Sequence, residues 1–317
     1  MTEITHRCAV LGKPIAHSLS PVLHAAAYKA LGLDDWAYER HEVGESDLDG
    51  FLRGLDPTWR GLSLTMPLKK TIQSYGTPAD IWAQRLKVAN TAVFDWSAPG
   101  AGGLPSISLY NTDVMGIVLA FGHELRSIGQ PDRWSGAHDA LVIGNGSTAS
   151  SAVAARPWPA ATVMRSNRQP DRRITVAARH PGKNPRLRGI LDGNGPEGSG
   201  AFGYREIPID SSFDALRVAD IVVSTIPGHA ADMIAEVIEA DDAFFPRGIL
   251  LDVVYDPRPS ALMRAWRAKG GLAIGGEEML LWQAVLQVIL MTGGNPSDDA
   301  LMGALEPAMR QALEEAL

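Results

Sequence analysis

The sequence predicts an α/β fold built as two domains. Strand-like apolar runs alternate with helix-like runs from end to end, the pattern of helices layered on a mainly parallel sheet. A polar, Pro/Gly-rich break from Gly129 to Gly136 separates two such series, and 317 residues are enough for two cores of ordinary size. No fixed-period repeat runs through the chain.

In the first series, Arg7 to Leu11 is a short apolar strand. Ser20-Pro21 reads as an N-cap followed by proline at the first helical position, opening a helix that runs to about Leu31 and stops at Gly32. Trp36 to Glu42 is a second strand, and Asp47 to Leu55 a helix with Leu48, Phe51, Leu52 and Leu55 on one face. Gly61 to Thr65 is a third strand ending at Met66-Pro67, and Ala92 to Asp95 with Ser106 to Leu109 forms a hairpin. Asp113 to Leu125 is a helix leading into the break. In the second series, Ala140 to Ile143, Ile174 to Ala177, Ile221 to Ser224 and Ile249 to Val253 read as buried strands with helices between most of them. Arg156 to Arg173, with Pro157, Pro159 and Pro170, cannot continue a helix and reads as an inserted loop. The tail from Glu278 to Leu317 is helical, broken near Gly293 to Pro296. Having no strand of its own, it is expected to pack back on one of the two cores.

The bulk numbers exclude several classes. A formal charge of -7 argues against a nucleic-acid or anionic-membrane partner, since neither attracts a net anion. The longest apolar stretch, Met279 to Met291, is interrupted by Gln283 and Gln287 and falls short of the roughly 20 residues of a membrane span. The N-terminus lacks a secretory apolar run, so a cytoplasmic protein is expected. The single cysteine, Cys8, excludes an internal disulfide framework and reads as a small core hydrophobe. No metal site is expected. His17 and His24 have no third ligand-type residue at metal spacing and read as structural hydrogen-bonders.

Two features carry chemistry. Gly144-Asn145-Gly146-Ser147-Thr148-Ala149 follows a predicted strand and precedes a predicted helix, the context in which a GxGxxA turn holds a pyrophosphate. An ordinary strand-to-helix turn is the alternative. At the end of the next strand, an NAD site needs an acid for the ribose 2'-hydroxyl, whereas Val176-Ala-Ala-Arg179-His-Pro-Gly-Lys183 offers two cations. Arg179 and Lys183 suit a 2'-phosphate, which favours NADP. The second feature is Lys69 and Asp113, an acid/base pair provided that the fold brings them together.

Several ordered motifs resemble the shikimate dehydrogenase family, over nearly the whole chain. Gly12-Lys-Pro-Ile-Ala-His17-Ser18-Leu-Ser20-Pro21-Val-Leu-His24 is similar to the family's N-terminal substrate signature, and Leu64-Thr65-Met-Pro67-Leu-Lys69 to its catalytic stretch. Ala89-Asn90-Thr91, Asn111-Thr112-Asp113-Val-Met-Gly116, Val223-Ser-Thr225-Ile-Pro, Asp252-Val-Val-Tyr255 and Met279-Leu-Leu-Trp-Gln283-Ala match further motifs. The stretch from Ala26 to Leu33 resembles actinobacterial-type members.

The resemblance implies NADPH-dependent, reversible reduction of 3-dehydroshikimate to shikimate. It implies Lys69 as acid/base with Asp113 as partner, and substrate contacts from Ser18, Ser20, Thr65, Asn90, Asp113, Tyr255 and Gln283. Ser18 and Ser20 would hold the substrate carboxylate. It implies cofactor contacts from Gly144, Asn145, Gly146, Ser147, Thr148, Ala149, Arg179, Lys183, Thr225, Val253 and Gly276. The implied domains are 1–112 with 278–317 for substrate and 113–277 as an NADP-binding Rossmann domain, the C-terminal helices returning to the first. A homodimer is compatible with it. Quinate or aminoshikimate oxidation, or non-catalytic binding of nucleotide or shikimate, stay open as alternatives. Gln283 and Gln287 share a helix face by their i,i+4 spacing, one expected toward the substrate and the other toward solvent or a neighbour. The chain also departs from the family pattern. Ser63 stands where asparagine is usual, Asn145 and Ser147 where alanine and glycine are usual, Ser150 for a common arginine, and Ala178 for the asparagine before Arg179. Arg156 to Arg173 looks longer than its counterpart.

Overall fold

The computed structural model describes residues 3–134, 136–155, 172–192 and 203–317. The segment read as an inserted loop lies outside these except for Arg172 and Arg173. The described residues divide into two compact units, one reaching Gly116 and resuming at Leu280, the other running from Ile117 to Met279.

The first unit contains β1 (His6–Gly12), α1 (Ser20–Leu31), β2 (Trp36–Glu42), α2 (Leu48–Arg53), β3 (Trp59–Leu64), α3 (Leu68–Thr71), β4 (Thr77–Pro78), α4 (Ile81–Leu86), β5 (Thr91–Pro99) and β6 (Pro105–Tyr110). Its sheet has the order β2-β1-β3-β5-β6-β4. The central strand β1 lies parallel to β2 and β3, and Cys8, Ala9, Val10 and Leu11 are buried, as the unbroken apolar run requires of a strand covered on both faces. Burial pushes the Cys8 thiol up to about 12, consistent with an inert core residue. The hairpin of β5 and β6 is antiparallel, as expected, and longer than its apolar centre. β4, two residues long, is too short to be legible as a strand in sequence.

α5 (Thr112–Ser127) follows, and then the second unit's β7 (Asp139–Ile143), α6 (Ser147–Ala154), β8 (Arg173–Ala178), α7 (Arg186–Asp192), β9 (Gly203–Pro208), α8 (Phe213–Val218), β10 (Ile221–Ser224), α9 (Asp232–Ala240), β11 (Ile249–Asp252), α10 (Ala261–Ala268) and β12 (Leu272–Gly275). All six strands are parallel, in the order β12-β11-β10-β7-β8-β9. Counted within the unit, from the other edge, this is 3-2-1-4-5-6, the doubly wound dinucleotide-binding arrangement. The two edge strands, β9 and β12, are not among those expected from the sequence. β9 mixes exposed and half-buried residues because an edge needs no continuous greasy stretch, whereas β12 is an apolar run as short as β10 and β11 and nearly as buried, and was overlooked.

The tail forms α11 (Gly276–Met291) and α12 (Asp299–Ala316). Leu281, Ala284, Val285, Val288 and Ile289 pack with Leu305, Met309 and Leu313 against Leu23, Ala27 and Tyr28 of α1, so the C-terminal helices complete the first unit's core. Among the described residues, no helix is long and apolar enough to cross a membrane.

Two local expectations are corrected. Ser20 is the first helical residue of α1 rather than its cap: Leu19 precedes the helix, no side chain caps it, and the Ser20 amide instead lies 3.4 Å from Ser18 Oγ. Pro21 still falls within the first turn, where its missing N–H costs nothing. His24 is fixed by stacking more than by hydrogen bonding, with Gln287 as its polar neighbour. Its ring is fully buried, stacks on Tyr38 with centroids 3.7 Å apart, and neither nitrogen has a partner at hydrogen-bonding geometry among the described residues.

Burial drives the His24 imidazole down to about 3, with a smaller opposing contribution from Gln287. In the unfolded chain the ring titrates at about 6.5, so in mild acid the unfolded chain takes a proton that the folded chain refuses. This contribution is fully present above pH ~6.5 and is lost as pH falls toward the folded value. His24→Phe, which keeps a ring against Tyr38, is expected to remove roughly 2 kcal/mol of the stability difference between pH 7 and pH 5. Urea unfolding at both pH values measures it, and an unchanged difference would refute it.

Candidate active site

Lys69 and Asp113 meet. Lys69 leaves the short helix α3, which the Met66-Pro67 turn sets up by returning the Leu68 amide to the Thr65 carbonyl at 2.8 Å. Asp113 lies in the first turn of α5, whose N-terminal dipole favours an anion. The Lys69 Nζ donates to Asp113 Oδ2 at 2.5 Å, with the two side chains only 13% and 4% exposed. A carboxylate this buried needs its charge answered, because leaving it unpaired costs about 3–5 kcal/mol.

Asn90 supplies the other answer. Its amide Nδ2 donates to Asp113 Oδ1 at 2.9 Å and lies 2.8 Å from Thr112 Oγ1 and 3.2 Å from Gln283 Oε1. The Asn90 Oδ1 accepts from the Thr112 amide at 2.8 Å and from the Thr91 hydroxyl at 3.0 Å. The entry to α5 is fixed from outside by Asp80. Its carboxylate caps α4 by accepting from the Ala83 amide at 2.6 Å and also accepts from the Asn111 amide at 2.7 Å. Burial pushes the Asp80 carboxyl up, while these backbone donors oppose the shift. Four expected site residues, Lys69, Asn90, Asp113 and Gln283, therefore form one bonded cluster. An ammonium seated on a buried carboxylate can give a proton to a nearby oxygen and take it back.

Ser18 and Ser20 lie at the entrance of α1, 9% and 5% exposed. Ser20 also neighbours the Tyr38 phenol, which burial pushes up in pKa while hydrogen bonds with Ser63 and Ser20 oppose it. The Thr65 amide donates to the Leu11 carbonyl at 2.9 Å, continuing the β1–β3 pairing one residue beyond the strand and leaving its side chain half-buried. Sequence reasoning gave no site role to three residues beside this cluster. Tyr38, Ser63 and Gln287 form a buried chain ending on the Asn90 carbonyl; the i,i+4 spacing puts Gln287 on the face of Gln283 but does not say that it turns inward.

In the second unit, the glycine turn sits where β7 and β10 adjoin, the switch point at which the strand order reverses. The Gly144 amide donates to the Ala177 carbonyl of β8 at 2.7 Å, and the Thr225 amide and hydroxyl both reach the Ile143 carbonyl at 2.8 Å. Gly144 has φ +110°, and a Cβ there would collide with Thr225 Oγ1. Gly146 caps α6 from an open position, while Ala149 is buried against the sheet and Ser147 and Thr148 are half-buried in the first turn. Arg179 and Lys183 are exposed in the turn that follows β8. The turn and these two cations could hold a dinucleotide that carries a 2'-phosphate.

Two of the departures around this turn, Asn145 and Ser150, have side-chain partners. Asn145 Nδ2 donates to the His180 carbonyl at 2.8 Å, and the buried Asn184 amide lies 3.2 Å from both the Asn145 carbonyl and Ser150 Oγ. Sequence reasoning found no acid near Arg179, but the fold brings one in from the neighbouring strand. Glu206 accepts from the Gly182 amide at 2.5 Å and from the Tyr204 hydroxyl at 2.7 Å. Farther along the sheet, the Val253 amide donates to the Ser224 carbonyl at 3.0 Å, and Gly276 packs so close that a Cβ would collide with the Val253 carbonyl. Tyr255 is half-buried just beyond β11, and burial together with the Asp256 charge pushes its phenol up.

An α/β sheet of this order with a glycine turn at its switch point, in a chain whose other unit seats a lysine on a buried aspartate, defines the class as dehydrogenase-like. The family model described as the shikimate dehydrogenase substrate binding domain matches residues 10–92. The shikimate dehydrogenase (NADP(+)) of Thermus thermophilus is 30% identical over 308 residues, covering 97% of this chain and 98% of the relative. The crystal structure of Mycobacterium tuberculosis shikimate dehydrogenase is 35% identical with a TM-score of 0.74, over 98% of this chain and 99% of that one. The T. thermophilus structure in complex with NADP(H) and shikimate is 29% identical with a TM-score of 0.68, over 97% and 99%. The chain belongs to the shikimate dehydrogenase family.

Gly144→Ala is expected to destabilise the protein by about 1–3 kcal/mol, because a side chain at that φ is strained and meets Thr225. Thermal unfolding checks this, and an unchanged melting temperature would contradict the geometry.

Proposed function

We propose that the protein catalyses the NADPH-dependent, reversible reduction of 3-dehydroshikimate to shikimate, with Lys69 as acid/base and Asp113 as its partner. The observation that carries this reading is the Lys69 ammonium on the Asp113 carboxylate at 2.5 Å, with Asn90 donating to the same carboxylate. The NADP(+)-dependent relatives and the T. thermophilus complex with NADP(H) and shikimate support the choice of cofactor and substrate.

Bound NADPH supplies the hydride. As the carbonyl oxygen gains negative charge, the Lys69 ammonium stabilises it and donates the proton, leaving shikimate and a neutral amine that solvent reprotonates. In the oxidative direction the same amine takes the proton from the substrate hydroxyl. Asp113 fixes the lysine, and Asn90 and Gln283 present an amide donor and an amide acceptor to ring hydroxyls. Ser18 and Ser20 hold the substrate carboxylate at the start of α1, where the helix dipole favours an anion. The substrate thus lies on the first unit and the nucleotide on the second, with Arg179 and Lys183 on the 2'-phosphate.

Lys69→Ala, shown to be folded by circular dichroism, is expected to lower kcat for NADPH oxidation with 3-dehydroshikimate by about a hundredfold or more. Near-normal turnover would sink the acid/base assignment. Arg179→Ala is expected to raise KM for NADPH about tenfold while leaving KM for NADH and for shikimate nearly unchanged. A wild-type enzyme that prefers NADH would overturn the role given to Arg179 and Lys183.

A further inference from the structure

One of the groups that hold Asn90 in place, Gln287, is not among the motif residues. The Asn90 carbonyl accepts from two donors, the Leu64 amide at 2.8 Å and Gln287 Nε2 at 3.0 Å. The same Gln287 nitrogen lies 3.1 Å from Thr91 Oγ1, whose hydroxyl donates onward to Asn90 Oδ1 at 3.0 Å. Gln287 therefore clamps residue 90 at both its main chain and, through Thr91, its side chain.

Gln287 is itself clamped. Its Oε1 accepts from the Ser63 hydroxyl at 2.8 Å, and Ser63 Oγ accepts from the Tyr38 phenol at 2.6 Å. The chain runs one way. The phenol occupies Ser63 as an acceptor, so the serine's own hydrogen is turned toward Gln287. The Asn90 carbonyl can only accept, so a flipped Gln287 amide would set oxygen against oxygen. The imidazole of His24 covers Tyr38 on one face, and Gln287, Ser63, Asn90 and Thr91 are 1%, 3%, 1% and 0% exposed. A dry amide costs free energy unless its bonds are made, and a made network of this kind fixes one arrangement. Ser63 stands where the family usually has asparagine. Here its hydroxyl meets Gln287 of α11, whose other end reaches the Asn90 carbonyl.

We propose that Gln287, pinned by Tyr38 and Ser63, is a positioning residue that holds the Asn90–Thr91 main chain so that the Asn90 amide meets Asp113, Gln283 and a substrate ring hydroxyl. The inference rests on the reading of Asn90 as a substrate contact given above.

Gln287→Leu keeps the volume and removes the bonds. It is expected to raise KM for shikimate about tenfold while KM for NADPH stays within about twofold. Amide hydrogen exchange without ligand is expected to speed up in peptides covering residues 90–94 and 112–116, relative to the rest of the first unit. Both changes together support the proposal. Unaltered exchange overturns it whatever the kinetics do, because Asn90 is then held without Gln287. Faster exchange with unaltered shikimate KM also overturns it, since the brace then serves stability alone. If the wild-type protein turns over no 3-dehydroshikimate, the proposed function fails, and exchange with shikimate titrated by calorimetry decides the brace: an unchanged affinity in Gln287→Leu, or no binding to wild type, overturns it. Should Gln287→Leu fail to fold, Ser63→Ala, which frees the other end of the same amide, is read by the same two measurements.

Discussion

A carboxylate taken almost out of water organises the first unit. Cation, donor and dipole converge on Asp113, and each comes from a different piece of chain: Lys69 from α3, Asn90 from the turn before β5, and the helix dipole from α5 itself. The supporting contacts follow from that convergence. Asp80 fixes the start of α5 through the Asn111 amide, and Gln283 reaches Asn90 from α11. The geometry of this cluster is thus the solution to a solvation problem, which is why its parts are buried and bonded rather than held on a loose surface.

The second unit solves a different problem, the close approach of backbone to an anionic ligand. A parallel sheet of this order opens a crevice at its reversal point, and Gly144 and Thr225 line it from adjoining strands. The unusual residues of the turn are tied into the scaffold. Asn145 bonds to the loop that carries Arg179, and Asn184 secures both Asn145 and Ser150. Where the family pattern has alanine, this chain has Asn145, whose amide bonds to the His180 carbonyl and so ties the turn to the loop after β8.

The fold class and the central strands were legible because both sheets bury their middle strands on two faces, which leaves unbroken apolar runs such as Cys8 to Leu11 and Ile221 to Ser224. The edge strand β9 carries no such mark, so it was invisible to the same criterion. Residues of the ordered motifs could be named one by one, but the bonds among them, such as Asn90 with Asp113, could not. Glu206 arrives beside Gly182 through the pairing of β8 and β9, and Gln287 turns inward to meet the Ser63 hydroxyl and the Asn90 carbonyl. His24 misled because a histidine's sequence neighbours do not say whether its ring will be wetted or stacked. Contacts between residues far apart in the chain, such as Ser63 with Gln287, are written in the packing and not in any local pattern.

The first unit is discontinuous in the chain, and this orders its assembly in time. Its sheet is synthesised first, but the helices that bury Leu23, Ala27 and Tyr28 come largely after residue 280. The second unit, continuous from Ile117 to Met279, has all its own strands before that point. On a ribosome that emits the chain from its N-terminus, the sheet carrying Lys69 and Asn90 must wait, with α1 uncovered, while a whole α/β unit emerges and can close. The part of the molecule that begins first is the part that finishes last, and the waiting interval, with greasy helix exposed, is where a chaperone or an aggregate would find this chain.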